Sequence, residues 1–178
     1  MSFTSFIFSL FLLSCSNSYI EVDAPDEIST LAYSYALLYE ESDTEYCLGA
    51  QDGLRSIKID CSGLVVMCYK YAMAETDYKL LVSDMSAGYM YESASTHIDK
   101  ADLKKGNLIF MGEEDSTNIT HIALFEKIED GSIYFIDSTQ KDTDGDGEYD
   151  VNGVTYRSYL EDDDHIKAFG RMRVKYYE

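Results

Sequence analysis

Asp60-Cys61-Ser62-Gly63-Leu64-Val65-Val66-Met67-Cys68-Tyr69-Lys70-Tyr71-Ala72 is the stretch on which the fold turns. Cys61, Leu64, Val65, Cys68, Tyr69 and Ala72 recur at i, i+3 and i+4, the period of a helix with one buried face. Upstream, Ser29-Thr30 can cap a first helix reaching Tyr39, with Leu31, Tyr35, Leu38 and Tyr39 at the same spacing. Past Gly106 the period becomes that of strands. Residues 107–111, 121–128, 132–138, 153–160 and 168–177 are short apolar or β-rich runs, most of them split by Gly/Asp clusters. Residues 44–58 read as a loop, and 79–99 as irregular chain or short helix. Helices followed by an antiparallel series of strands predict an α+β domain, with the N-terminal helices packed on a central antiparallel sheet.

The composition bounds what such a domain does. At 178 residues the chain has room for one domain with a sizeable core. Its 14 Lys+Arg against 33 Asp+Glu leave a net charge of −19, which excludes a nucleic-acid partner bound through clustered cations. The same charge excludes docking on anionic lipid through a basic face.

The amino terminus reads differently from the rest. Residues 1–14, MSFTSFIFSLFLLS, carry no charge and form an apolar run too short to span a bilayer, as in a secretory signal. Leu12-Leu13-Ser14-Cys15 resembles the lipobox of bacterial lipoproteins, in which the cysteine is lipidated and becomes the first mature residue. No Lys or Arg precedes Cys15, so a plainly cleaved signal is the competing reading. Residues 15–28, which hold the sole proline, Pro25, are expected as a tether, and 29–178 as the folded domain. The protein is accordingly expected in the cell envelope, membrane-anchored only through that lipid, and monomeric.

The start of the second helix carries the chemistry. Cys61 there feels the helix dipole and the unpaired N–H groups of the first turn, and both favour the nucleophilic thiolate. A buried core cysteine is the alternative, and Cys68, two turns on, fits it. A cysteine nucleophile needs a base. His121 opens the strand His121-Ile122-Ala123-Leu124-Phe125 after a polar loop. A turn at Asp130-Gly131 would fold the next strand back and set Asp137 beside the start of the first. Cysteine, histidine and a polar orienter from separate elements make a nucleophile–base–orienter arrangement.

Here the chain resembles the NlpC family of cell-wall endopeptidases, from about Tyr46 to the C-terminus. Tyr46-Cys47-Leu48-Gly49 is similar to that family's Tyr-x-x-Gly segment, and Asp60-Cys61-Ser62-Gly63-Leu64 to its signature. Leu103-Lys104-Lys105-Gly106-Asn107-Leu108-Ile109-Phe110 is similar to its leucine, two residues, Gly-Asp-Leu-Ile-Phe strand, with Asn107 replacing the acid. His121-Ile122-Ala123-Leu124 fits the motif of the catalytic histidine, and Ala168–Val174 its closing strand. The resemblance implies a papain-like fold and hydrolysis of peptidoglycan stem peptides between γ-D-glutamate and a diamino acid. It implies Cys61 as nucleophile, His121 as base and Asp137 in the third position, more usually a histidine. It also implies Tyr46 against the nucleophile, and Asp60 and Ser62 near the substrate's amino end. Two rivals stand beside this: a binding lipoprotein without turnover, and an amidase or acyltransferase acting on a non-cell-wall substrate.

Asp142-Thr143-Asp144-Gly145-Asp146-Gly147, with Asp150, reproduces the first half of a calcium loop. Gly153 stands where the bidentate Glu belongs. A structural calcium at Asp142, Asp144, Asp146 and Asp150 and a solvated acidic turn are equally weighted readings, and the thiol chemistry needs no cofactor and no catalytic metal. His97 and His165 are read as surface residues. Cys47 and Cys68 are left open as a pair after export.

Overall fold

The computed structural model describes residues 18–54 and 58–177. The signal segment 1–14 and the lipidation candidate Cys15 lie outside the described residues. Three helices, α1 (Asp26–Glu40), α2 (Cys61–Ala72) and α3 (Ala87–Ser93), pack with strands in an α+β arrangement. The large sheet holds β1 (Tyr19–Asp23), β4 (Tyr78–Leu80), β5 (Ser95–Ile98) and β6 (Leu108–Met111) together with the strands that follow them. Those are β7 (His121–Glu129), β8 (Ser132–Lys141), β9 (Val151–Leu160) and β10 (Ile166–Tyr177). Its main path runs β1-β10-β6-β7-β8-β9, with β4 and β5 also paired to β10. A separate parallel pair, β2 (Glu45–Tyr46) with β3 (Lys58–Ile59), leads into α2. Among the described residues no helix is long and apolar enough to cross a membrane.

The expected α+β architecture is the one observed, and the second helix starts and stops where its periodicity placed it. The first helix differs. It begins at Asp26, entered from Pro25, and its N-cap residue makes no side-chain bond. Asp26 and Glu27 in the first turn complement the dipole instead. Ser29, expected as a cap, is buried where the Tyr69 hydroxyl approaches its Oγ at 3.1 Å and the Gly106 carbonyl at 2.9 Å. That contact joins α1, α2 and the approach to β6. Gly106 has φ +86° and an added Cβ would lie 1.9 Å from the Ser29 carbonyl oxygen, so no other residue fits there. Leu31 and Leu38 are exposed, while Ile28, Ala32, Tyr33, Ala36 and Tyr39 face the core.

The expected tether is also shorter than its bounds. Residues 19–23 form β1, antiparallel to β10 from Tyr19↔Tyr177 to Asp23↔Arg173, and 26–28 are helical. Only Val22 of this strand is partly buried, which leaves an exposed edge that sequence patterning reads as linker. The ambiguous stretch 79–99 supplies the end of β4, then α3 and β5.

Candidate active site

Cys61 is the first residue of α2 and is 6% exposed. The residue before it builds the helix start. Asp60 caps α2 by accepting from Gly63 N at 2.6 Å, from Ser62 Oγ at 3.0 Å and from Gly49 N at 2.7 Å. Its carboxylate, 5% exposed, is thereby fully engaged in tying the Gly49 loop to the helix. Gly63 makes that approach possible, because a Cβ there would meet the Ala50 carbonyl oxygen at 2.2 Å. The pairing Tyr46↔Ile59 brings Tyr46 alongside the chain two residues before Cys61. Burial, with the negative charges of Cys61 and Asp60 nearby, pushes the Tyr46 phenol above its ordinary value.

His121 comes from the first position of β7 and Asp137 from β8. Asp130 (φ 51°) and Gly131 (φ 75°) form the turn between the two strands, the conformation a tight hairpin requires. Leu124 pairs with Ile136, so Asp137 stands across from Ala123 and meets His121 diagonally, two residues along the same face. His121 Nε2 lies 2.5 Å from Asp137 Oδ2. With Nε2 so committed, Nδ1 is the ring nitrogen left to face Cys61, which lies close enough to act on the imidazole. Burial disfavours charge on the imidazole, but Asp137 and Cys61 outweigh it and raise His121 to about 10. The structure therefore brings Cys61, His121 and Asp137 to one place, with the histidine's proton held by its carboxylate neighbour.

Asp137 is 0% exposed, and a second cation holds it. Arg157 donates from Nε to Oδ1 at 3.0 Å and from Nη2 to Oδ2. On β9, Arg157 faces Phe135 and Thr155 faces Asp137, so the guanidinium reaches its partner diagonally on one face of the sheet. Burial pushes the Asp137 carboxyl up, but the bonds from His121 and Arg157 hold it below the usual range. Sequence reading passed over Arg157. The available signal was a lone cation within β9, legible only once the β8–β9 register was known.

A cleft of about 410 Å³ opens in front of Cys61, lined by Tyr46, Asp60, Ser62 and Gln51 on one side and 84–88 with Ile119 and Thr120 on the other. Tyr46, Asp60 and Ser62 thus share the cleft with Cys61, Asp60 as its wall. Residues 84–88, left unassigned by periodicity, form the opposite rim, where Ser86 caps α3 by accepting from Tyr89 N. A larger hollow of about 620 Å³, lined by Met67, Met73, Leu80 and Val82, lies toward the other end of α2, away from Cys61 and His121.

The remaining candidates stand apart from this site. Carboxylate oxygens of Asp142, Asp144 and Asp146 lie within 4.8 Å of one another on the surface. Asp150 instead accepts from Thr143 N at 2.7 Å and from its hydroxyl, and so is turned toward the loop's own chain. Cys47, Cys61 and Cys68 are free thiols, with Cys68 fully buried in mid-helix. His97 is exposed and stacks on Tyr91, and half-buried His165 pairs with Asp163.

Residues 43–168 match the family model of the NlpC/P60 family. Two solved structures share the fold. NlpC1 from Trichomonas vaginalis is 18% identical with a TM-score of 0.57, over 84% of this chain and 46% of that one. A protein from Staphylococcus aureus described as similar to lipoprotein, NLP/P60 family, is 20% identical with a TM-score of 0.51, over 91% and 45%. The chain thus spans about half the length of the structures it resembles. No curated protein matches it significantly.

Proposed function

The chain belongs to the NlpC/P60 family, whose members are in general cell-wall peptidases, and from that premise we propose that it is a cysteine endopeptidase of peptidoglycan stem peptides. The bond it cuts is the one between γ-D-glutamate and the following diamino acid. The observation that carries this reading is the approach of Cys61, at a helix N-terminus, to a half-buried His121 that Asp137 holds from behind. Cys61 Sγ attacks the scissile carbonyl, and the backbone N–H at the start of α2 faces the oxygen on which charge develops. His121 passes its proton to the leaving amine, which departs and leaves a thioester on Cys61. A water activated by the now neutral imidazole hydrolyses that thioester, returning the thiolate–imidazolium pair.

Tyr46 and Ser62 border the cleft on the substrate's amino side, and Asp60 maintains the wall they belong to. The enzyme acts outside the cytoplasm as a monomer, held at the envelope by a lipid on Cys15. Tethering substitutes for steering, since a charge of −19 does not attract the chain to an anionic wall.

Incubating the purified protein with defined muropeptides and following products by mass spectrometry tests the reading. Cleavage at the γ-D-glutamyl bond, abolished in Cys61→Ala, is the expected result. Undiminished cleavage in that variant would remove Cys61 as nucleophile, and intact muropeptides throughout would favour a binding role. Labelled palmitate incorporated by the wild type but not by Cys15→Ala is expected for the anchor.

A further inference from the structure

Asp137 is a liability as well as an orienter. A carboxylate with no exposed surface, one imidazole away from a sulfur that must carry negative charge, opposes that charge. The structure places a compensating cation directly behind it. Arg157 grips both carboxylate oxygens, its side chain is 15% exposed, and its guanidinium carbon lies 5.3 Å from the Phe135 ring centre and 5.5 Å from that of Tyr159. Its remaining nitrogen, Nη1, donates to the Tyr159 hydroxyl at 3.3 Å. The guanidinium is thus held on every side in one orientation. Along the row stand the Cys61 sulfur, the His121 imidazole, the Asp137 carboxylate and the Arg157 guanidinium, so that the fully buried carboxylate has a nitrogen base on one side and a fixed cation on the other.

We propose that Arg157 is a positioning and charge-compensating residue of this site: it fixes Asp137 toward His121 and neutralises it, so that Cys61 can carry negative charge beside a buried carboxylate. This rests on Cys61 and His121 being a working pair, as in the function proposed above. The other charged or titratable groups that face the row are few. Tyr46 and Asp60 stand on the cysteine side, the latter fixed by its capping bonds. Glu113, Lys141, Tyr159 and His165 line a cavity of about 280 Å³ that Arg157 and His121 also border. Lys141 there donates to Tyr159 at 2.9 Å and makes no contact with Asp137. Among the described residues, only His121 and Arg157 pair with that carboxylate.

The test is the pH dependence of Cys61 alkylation by iodoacetamide, followed on the Cys61 peptide by mass spectrometry so that Cys47 and Cys68 do not contribute. Removing a cation raises the pH at which neighbouring groups lose protons. Arg157→Met should therefore move the half-maximal rate upward by about one pH unit. Arg157→Lys keeps the charge without the two-pronged grip and should stay near the wild type. Asp137→Asn should move the midpoint downward, and Asp137→Asn with Arg157→Met should bring it back up toward the wild type. A folded Arg157→Met with an unmoved midpoint overturns the proposal. If that variant does not fold, the comparison of Asp137→Asn with the double variant decides, and coincident midpoints overturn it. Alkylation does not depend on the substrate. Shifts as expected without muropeptide cleavage would sink the proposed function and leave Arg157's role standing.

Discussion

Asp137 and the run Asp142–Asp150 are separated by a few residues of one hairpin, yet the same side chain lives under opposite conditions in the two places. Asp137 is sealed in the sheet and held by two cations, His121 and Arg157. Asp142 is in water, and its carboxyl is held low by backbone N–H groups of its own loop, those of Gly147 and Gly145 first. Asp144 and Asp146 lie beside it with no cation paired among the described residues. A chain with 33 acidic residues and 14 basic ones cannot pair every carboxylate. It places a strong pair where water is excluded and a lone carboxylate is costly, and leaves solvent to screen the rest. Net charge is therefore a poor guide to chemistry here, because the aspartate that matters is the one whose charge has been cancelled.

The sharpest way to break this comparison is to neutralise one aspartate from each region. Asp137→Asn removes the acceptor of His121 and leaves Arg157 a buried cation without its partner. Breaking a buried pair from one side costs roughly 3 kcal/mol, and loss of the orienting carboxylate is expected to lower kcat by about 100-fold or more. Muropeptide kinetics and denaturant unfolding measure the two effects. Equal, small effects of Asp137→Asn and Asp144→Asn would abolish the distinction.

A second consequence concerns alkaline stability. The folded protein raises His121 from 6.5 to about 10, so its proton stabilises the fold fully below pH 6.5 and that stability is lost as pH climbs toward 10. Thermal unfolding of the wild type should thus fall between pH 7 and 10 more steeply than that of Asp137→Asn, in which the partner that holds the proton is gone. Parallel curves would mean that Asp137 does not support the charge on His121. The other tyrosines and lysines titrate alike in both proteins, which is why the difference and not the slope is the readout.

Asp60 is an intermediate case, buried like Asp137 but satisfied by two backbone N–H groups and a hydroxyl instead of cations. Asp60→Ala should cost about 1–2 kcal/mol by loss of the cap and lower activity by loosening the Gly49 loop beside Cys61. Asp60→Asn should recover part of the stability, since an amide oxygen still accepts. Denaturant midpoints of the two variants decide whether this aspartate works as a cap.

These three aspartates also mark how far the chain could be read before its structure was known. The α2 helix was legible because its apolar period and the candidate cysteine coincide in one unbroken stretch, 61–72, whereas the cap, Asp60, was read only as a residue near the substrate. The His121–Asp137 pairing was legible because a two-residue turn keeps the two strands adjacent, and the one-residue register shift between Phe125 and Lys127 still leaves Asp137 within diagonal reach of His121. Arg157 was not, because its partner lies across a second hairpin whose loop holds the acidic run and whose register no local signal sets. The strand at 19–23 was missed for a related reason: it is an edge strand with a mostly exposed face, and pattern reading detects burial rather than pairing. Where local order decided the structure the sequence was sufficient, and where distant strands met it was not.

The smallest effect expected separates the acidic loop from the site altogether. Carboxylate oxygens of Asp142, Asp144 and Asp146 converge, whereas Asp150, the fourth carboxylate of the expected calcium site, accepts from Thr143. Without Asp150, and with Gly153 where a bidentate acid would complete the shell, the cluster offers a hard cation few ligands. Binding stabilises a fold only by the logarithm of occupancy, so a weak site at millimolar calcium contributes about 1 kcal/mol or less. Adding 5 mM calcium, or a chelator, should accordingly move Tm by no more than a few degrees and leave kcat unchanged. Asp144→Asn should behave as the wild type does in chelator. A large rise in Tm with calcium, lost in Asp144→Asn, would show that the loop's carboxylates are neutralised after all, by an ion where Asp137 uses Arg157.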